Sequence, residues 1–254
     1  MNISLRSRWD DLRLAMMVLT RVPMDSSSLR QDATPARALW AYPLAGALVC
    51  AIGAMAFWLA VLARLPVSVA AALAIIASLF ASGALHEDGL ADFCDGLGGG
   101  RDRERKLAIM RDSRVGTYGA LGLLLSVLLR WSALSALGEP KFVLAAWIAA
   151  GALSRGAIAL PLALLPPARP DGLGNRAASP PTWSAILALS FAIGIAAGVL
   201  GIGALPLIAA AGISAIMVTW LARSQLGGQT GDVLGACALS AECLALVAAS
   251  GRWL

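Results

Sequence analysis

WSAILALSFAIGIAAGVLGIGALPLIAAAGISAIMVTWLA, residues 183–222, contains no Asp, Glu, Lys, Arg or His. About 20 apolar residues in a helix cross the hydrocarbon core of a bilayer. This stretch is long enough for two crossings, with a break around Gly203 and Pro206. Glycine and proline are tolerated inside membrane helices, so a partly re-entrant pair is the alternative. Working outward, further apolar runs lie at 40–63, 66–85, 117–137, 142–165 and 233–250. The expected fold is an all-α, polytopic membrane helix bundle of about seven spans, or six if 183–222 is partly re-entrant. Residues 1–254 form one integral membrane domain.

Composition agrees. The chain is 59% hydrophobic and 14% charged, against about 25% charged residues in soluble domains. Its mean hydropathy is +0.76. A soluble fold would need more polar surface, whereas lipid-facing side chains must be apolar. Residues 3–24 read as an amphipathic interfacial helix within an N-terminal segment 1–39, with Arg6, Arg13 and Arg21 near its polar face. The apolar part, Leu12 to Thr20, is too short and too flanked by charge for a cleavable signal peptide. Cys50, Cys94, Cys237 and Cys243 show no metal-ligand spacing, and no disulfide is expected.

Charge orients the spans. With the N-terminus inside, segments 1–39, 86–116, 166–182 and 223–232 place 15 of the 20 Lys and Arg residues in the cytoplasm, and only Arg64, Lys141 and Arg252 outside. The net charge of +5 is therefore a matter of topology, and no nucleic-acid partner is implied. Membrane lipid is the expected surrounding, and a homo-oligomer stays open.

Segment 86–116 carries the chemistry. Asp88, Asp92 and Asp95 are spaced i, i+4, i+7, which places them within about 60° on one helix face. Like charges on adjacent turns repel, and a divalent cation relieves this. Mg²⁺ takes oxygen ligands and bridges to substrate phosphates. A solvated acidic helix end is the plainer alternative. Gly96 to Gly100 follow, either a flexible linker or backbone donors for an anion. Then come Arg101, Arg103, Arg105, Lys106, Arg111 and Arg114. Arginine grips phosphate bidentately, although a loop bound to anionic lipid would look similar. Acids for metal beside bases for phosphate are the two halves of a phosphoryl-transfer site. His86, the only histidine, reads as a base or as an interfacial residue.

Two further polar loops fall on the same side. ARPDGLG (168–174) brings Arg169 and Asp171, and GGQTGDVLGA (227–236) brings Gly228, Thr230 and Asp232. The second runs into a helix start, with Thr230 or Asp232 as N-cap, a setting that suits an anion. Within the spans, Arg155 must face a cavity or a partner. Glu242, the one carboxylate in a span, is a candidate for pairing with it.

HEDGLADFCDGLGGGRDRERKLAIMRDSRVGTYG (86–119) closely resembles the signature of cobalamin synthase, the adenosylcobinamide-GDP ribazoletransferase family. LTRVP (19–23), AYPLAGAL (41–48), SR (154–155) and the two loops above match in order. The resemblance implies a Mg²⁺-dependent enzyme of the cytoplasmic (inner) membrane. It would join adenosylcobinamide-GDP to α-ribazole or α-ribazole 5′-phosphate with release of GMP, the last assembly step of cobalamin biosynthesis. Carried onto this chain, it implies Asp88, Asp92 and Asp95 as metal ligands, with Glu87 or Asp112 as a further one. Arg101, Lys106, Arg111 and Arg114 would hold the diphosphate, and Asp112 or His86 would act as base. Arg155, Arg169, Asp171, Gly228, Thr230 and Asp232 would bind substrate. The competing readings are a membrane phosphotransferase acting on CDP-activated alcohols, whose aspartate order matches only in part, and a transporter.

Overall fold

The fold was obtained as a computed structural model, which describes the backbone of residues 5–25, 29–30 and 32–253. Residues 3 and 4 of the expected interfacial helix, and the side chains of Arg6 and Arg252, lie outside what is described. Among the described residues there are helices and no strand; the one bridge pairs Pro167 with Gln229.

The helices are α1 (Leu5–Leu19), α2 (Pro35–Ala38), α3 (Tyr42–Leu62), α4 (Val67–Ser82), α5 (Leu85–Gly99), α6 (Arg103–Ile109) and α7 (Thr117–Leu137), followed by α8 (Pro140–Ala157), α9 (Ala159–Leu164), α10 (Gly172–Ala177), α11 (Thr182–Leu200), α12 (Ala204–Leu226) and α13 (Gly231–Trp253). Five stretches are long and apolar enough to cross a membrane: Pro35–Leu62, Thr117–Leu137, Pro140–Leu164, Thr182–Leu226 and Gly231–Gly251. The bent pair α4 and α5 adds a sixth when taken as one span.

Thr182–Leu226 cannot be one straight rod. Its 45 residues would hold the ends about 67 Å apart at ~1.5 Å per residue. Yet Gln229, just past Leu226, donates from Nε2 to the Gly174 carbonyl at 2.9 Å, and Gly174 sits in α10, which ends five residues before Thr182. Both ends are thus at one end of the bundle. The turn falls at Gly201, with φ +57°, a backbone state in which glycine carries no Cβ penalty. The stretch is a hairpin of two limbs, α11 and α12, and the sequence-based break near Gly203 lies within this turn.

The expected span 66–85 ends early. α4 stops at Ser82, and α5 leaves it at 92°. Gly83 and Ala84 form this elbow with φ +68° and +57°. A left-handed alanine is strained, so surrounding contacts must hold it. Arg21 supplies them: its backbone N–H donates to the Ala81 carbonyl at 2.7 Å, and its guanidinium fills the space where a side chain on Gly83 would be. The first turn of α5 reaches into the bundle. The remainder carries its aspartates at the polar end, outside the spans.

Close glycine contacts bring the other helices together, as is common in membrane interfaces. A Cβ on Gly46 of α3 would overlap the Gly151 carbonyl of α8, and a Cβ on Gly53 would meet the Trp147 ring. Beneath the polar end lies a buried ion network. Glu242 (α13) pairs with Arg155 (α8), accepts from the Trp147 indole at 3.0 Å, and lies 3.9 Å from Arg130 (α7). Arg130 in turn donates to Glu87 (α5) at 2.9 Å. The pairing of Arg155 with Glu242 suspected from sequence is present.

Two outcomes follow. Glu242→Ala leaves two buried arginines short of their carboxylate, and breaking a buried pair costs about 3–5 kcal/mol. A large drop in the apparent melting temperature of the detergent-solubilised protein is expected. Gly83→Ala places a Cβ on a left-handed residue already crowded by Arg21, and a loss of about 1–2 kcal/mol is expected in the same measurement.

Candidate active site

The backbone explains why the acidic turn of α5 meets the last helix. A Cβ on Gly89 would lie 3.1 Å from the Asp232 carbonyl oxygen and the Gly235 Cα of α13. Without side chains at Gly89 and Gly235, the two backbones touch, and Asp88 comes alongside Asp232. Both line a cavity of about 520 Å³ at the polar end, together with His86, Arg111, Arg169, Asp171 and Thr230.

Three loops assemble the rim. Gln229 N–H donates to the Pro166 carbonyl at 2.9 Å, and Ala168 N–H to the Gln229 carbonyl at 2.8 Å, which zips 166–168 to 228–229. Thr230 Oγ1 accepts from Val233 N–H at 3.3 Å, capping α13, and lies 3.2 Å from Asp232 Oδ2. Arg169 Nη1 stands 3.6 Å from Asp232, and its Nη2 donates to the Leu107 carbonyl at 2.9 Å. Its Nε is buried without a hydrogen-bond partner among the described residues. Arg111 pairs with Asp171 across the opening at 2.9 Å.

The acids form a mutually repelling group. The Asp92 carboxyl is pushed up to about 6, first by burial, then by Asp232, Asp88 and Asp95. Burial is the larger cause, and the neighbouring carboxylates add to it.

Several expected site residues are engaged elsewhere. Asp95 accepts from Gly116 N–H at 2.7 Å and Gly119 N–H at 2.8 Å, so both its oxygens cap the N-terminus of α7. Glu87 faces the buried Arg130. Neither lines the cavity, and nor does Asp92, one turn beyond Asp88 on α5. Asp95 and Glu87 differ from Asp92 in that their carboxylates are already committed to other partners, which sets them apart from a metal set with Asp88. Asp112 lies outside the cavity in an exposed pair with Arg114 at 2.7 Å. Hydrogen bonds from Arg114 pull its carboxyl down to about 2, so it is a poor proton acceptor near neutrality.

The basic run is divided. Only Arg111 lines the cavity; Arg101 is exposed. Lys106 is buried against the Gln225 side chain, and Arg103 donates to the Leu226 carbonyl at 2.7 Å. These two act as struts between α6 and the end of α12. A Cβ on Gly228 would overlap the Pro166 carbonyl, so this glycine serves the close approach of the two loops, and it does not line the cavity. Arg155 lies below the cavity, with its Nη2 3.3 Å from His86 Nδ1. An arginine only donates, so Nδ1 accepts and the ring proton sits on Nε2. His86 therefore presents a donor rather than a base.

The sequence reading missed the apolar wall of the cavity, formed by Val18, Leu19, Tyr42, Leu85, Ile158 and Leu234. AYPLAGAL and LTRVP were noted as motifs, but nothing in their composition separates a site wall from ordinary core. Among the described residues, no three His, Cys, Asp or Glu side chains stand ready to hold a metal ion on their own.

Comparison with known proteins now bears on the reading. The family model described as cobalamin-5-phosphate synthase matches residues 11–250. An adenosylcobinamide-GDP ribazoletransferase of Bradyrhizobium diazoefficiens is 45% identical over 94% of this chain and 93% of its own length. Proteins of the same name from Mesorhizobium japonicum and Sinorhizobium medicae are 43% and 39% identical, over 98% and 91% of this chain and 96% and 92% of their own lengths. No solved structure matches. The chain belongs to the cobalamin-5-phosphate synthase family.

Proposed function

We propose that this protein transfers the cobinamide phosphate of adenosylcobinamide-GDP to a ribose hydroxyl of α-ribazole, or of its 5′-phosphate, releasing GMP. The observation that carries this reading is one cavity where two carboxylates, Asp88 and Asp232, meet two arginines, Arg111 and Arg169. The relatives' shared name supplies the substrates. The family match leaves the CDP-alcohol reading without support. The excess of Lys and Arg on this side supports a cavity that faces the cytoplasm.

In the reaction the acceptor oxygen forms a bond to the cobinamide-bearing phosphorus. The bond from that phosphorus to the GMP oxygen breaks, and the hydroxyl proton passes to water at the open rim. Little covalent work falls to the protein; positioning and charge stabilisation dominate. Arg169, with its buried unpartnered Nε, and Arg111 hold diphosphate oxygens and offset the charge that builds on the departing GMP. His86 donates from Nε2 toward the same group. Asp171 keeps Arg111 at the opening.

The residues fit Mg²⁺, which is usually held by one or two carboxylates plus substrate phosphates and waters rather than by an all-protein cage. Asp88 and Asp232, which face the cavity, would hold it, with Asp92 one turn further along α5 close enough to feel the charge of both. When bound, Mg²⁺ would supply Lewis-acid neutralisation of the diphosphate.

GMP release by the purified protein in lipid, given both substrates, tests the reading. Release is expected with Mg²⁺ and not after its chelation; no release in either condition overturns it. Asp92→Asn is expected to lower turnover by at least about 100-fold, the scale for losing one charge-stabilising element, with an unchanged melting temperature. Asp95→Asn should differ. It weakens the cap of α7, so a loss of about 1 kcal/mol in stability is expected, with residual turnover above that of Asp92→Asn.

A further inference from the structure

The cavity is two-sided. Its charged residues come from the loops and helix starts described above. Its apolar residues belong to a single hydrophobic cluster, in which Leu19, Tyr42, Ile158 and Leu234 are buried members and Leu85 and Val18 pack against them. Chain position gives the depth. Leu85 precedes Asp88 by one turn of α5 toward the bundle interior, and Leu234 follows Thr230 by one turn of α13 in the same direction. The charged rim is therefore outermost and the apolar wall lies beneath it.

Two polar side chains stand at this depth, His86 beside Leu85, and Tyr42. Tyr42 is 3% exposed and lines the cavity. Its hydroxyl is not fully enclosed and has no side-chain partner among the described residues, so it opens on the cavity. A hydroxyl that opens on the cavity is free to donate to whatever occupies it.

Resting on the transfer reading above, we infer that this apolar wall is the subsite for the heteroaromatic base of the acceptor nucleoside, with the Tyr42 hydroxyl donating to the base's ring nitrogen. The alternative occupant is the guanine of the other substrate. Guanine carries several donors and acceptors on its edge, and an apolar wall with one hydroxyl and the His86 ring N–H still leaves most of them unsatisfied, at a penalty for each. The dimethylbenzimidazole of ribazole presents two methyl groups, a flat apolar face and one acceptor nitrogen. That inventory matches the wall. A cavity of about 520 Å³ also suits one nucleotide-sized group. With the base seated deep, its ribose is directed up toward Asp88, Asp232 and the arginines, where the phosphoryl group arrives. The amphipathic helix α1 supplies Val18 and Leu19, so it doubles as part of the acceptor site.

Steady-state kinetics in lipid, varying each substrate in turn, test this. Tyr42→Phe removes only the donor and is expected to raise KM for α-ribazole about tenfold, a factor worth about 1.4 kcal/mol, with KM for adenosylcobinamide-GDP within twofold of wild type. Val18→Trp fills the wall and is expected to raise KM for α-ribazole at least as much. The same variant should affect the unmethylated benzimidazole riboside less. A rise in KM for adenosylcobinamide-GDP instead, or no change in either constant, overturns the inference. If a variant is inactive, direct titration of α-ribazole onto it, beside a melting curve, decides: wild-type affinity overturns the inference, and lost affinity with a wild-type melt supports it. Wild-type protein that binds α-ribazole through Tyr42 but releases no GMP would overturn the transfer reading and leave this subsite standing.

Discussion

Glu242 is the carboxylate on which the arrangement of helices depends. It lies inside the bundle, pairs with Arg155, accepts from Trp147 and faces Arg130. A lone charge at that depth would be expensive. Paired and hydrogen-bonded, the same group joins α7, α8 and α13, and through Arg130 and Glu87 it also reaches α5. Apolar packing between helices in lipid is weakly directional, since lipid tails are as apolar as leucine. Buried charges are different: each must find one particular partner. The network thus sets the register of four helices where shape alone leaves choices, and it does so directly beneath the cavity. Arg155 also fixes the tautomer of His86, so the same contacts that hold the bundle decide what one site residue offers to a substrate.

Backbone contact completes the placement. Gly89 against Gly235 lets α5 and α13 approach closely enough for Asp88 and Asp232 to share a cavity, although they are far apart in sequence. The elbow at Gly83 and Ala84 turns α5 out of the line of α4, which keeps a helix of four acids and a histidine near the polar end. Arg21, from the segment after α1, holds that elbow. The N-terminal segment therefore acts on the site twice, by bracing the elbow and by lining the cavity with Val18 and Leu19.

The bundle was legible because hydrophobic length is a direct physical requirement of the bilayer, and even the hairpin break was marked by glycines near residue 203. The acidic helix was legible from spacing, and the pairing of Arg155 with Glu242 from the expense of either alone. What spacing does not contain is the identity of partners. Asp88, Asp92 and Asp95 share a helix face, yet the two oxygens of Asp95 are claimed by the amides that open α7. The basic run 101–114 reads as uniform charge, but carbonyls at Leu226 and Ala168 and the Gln225 side chain turn Arg103 and Lys106 into struts. Those acceptors lie more than 60 residues away, and no local pattern announces them. Asp232, read as a capping residue, belongs with the acids for the same reason: its neighbours come from α5 and the Arg169 loop.

This arrangement also bears on why a reaction between two water-soluble nucleotides is housed in a membrane protein. A soluble enzyme must cover an apolar base subsite with its own core. Here the wall beneath the rim is the upper layer of the bundle itself, continuous through Leu39, Leu162 and Ala188 with helices that are apolar for an independent reason. The charged rim needs only three loops and the start of two helices, because the spans already fix where those loops emerge. The rigid part of the site is thereby the part that the bilayer requires in any case. The rest of the site, Arg111, Arg169, Asp171 and Thr230, sits on loops and a helix start, which can be arranged without disturbing the spans.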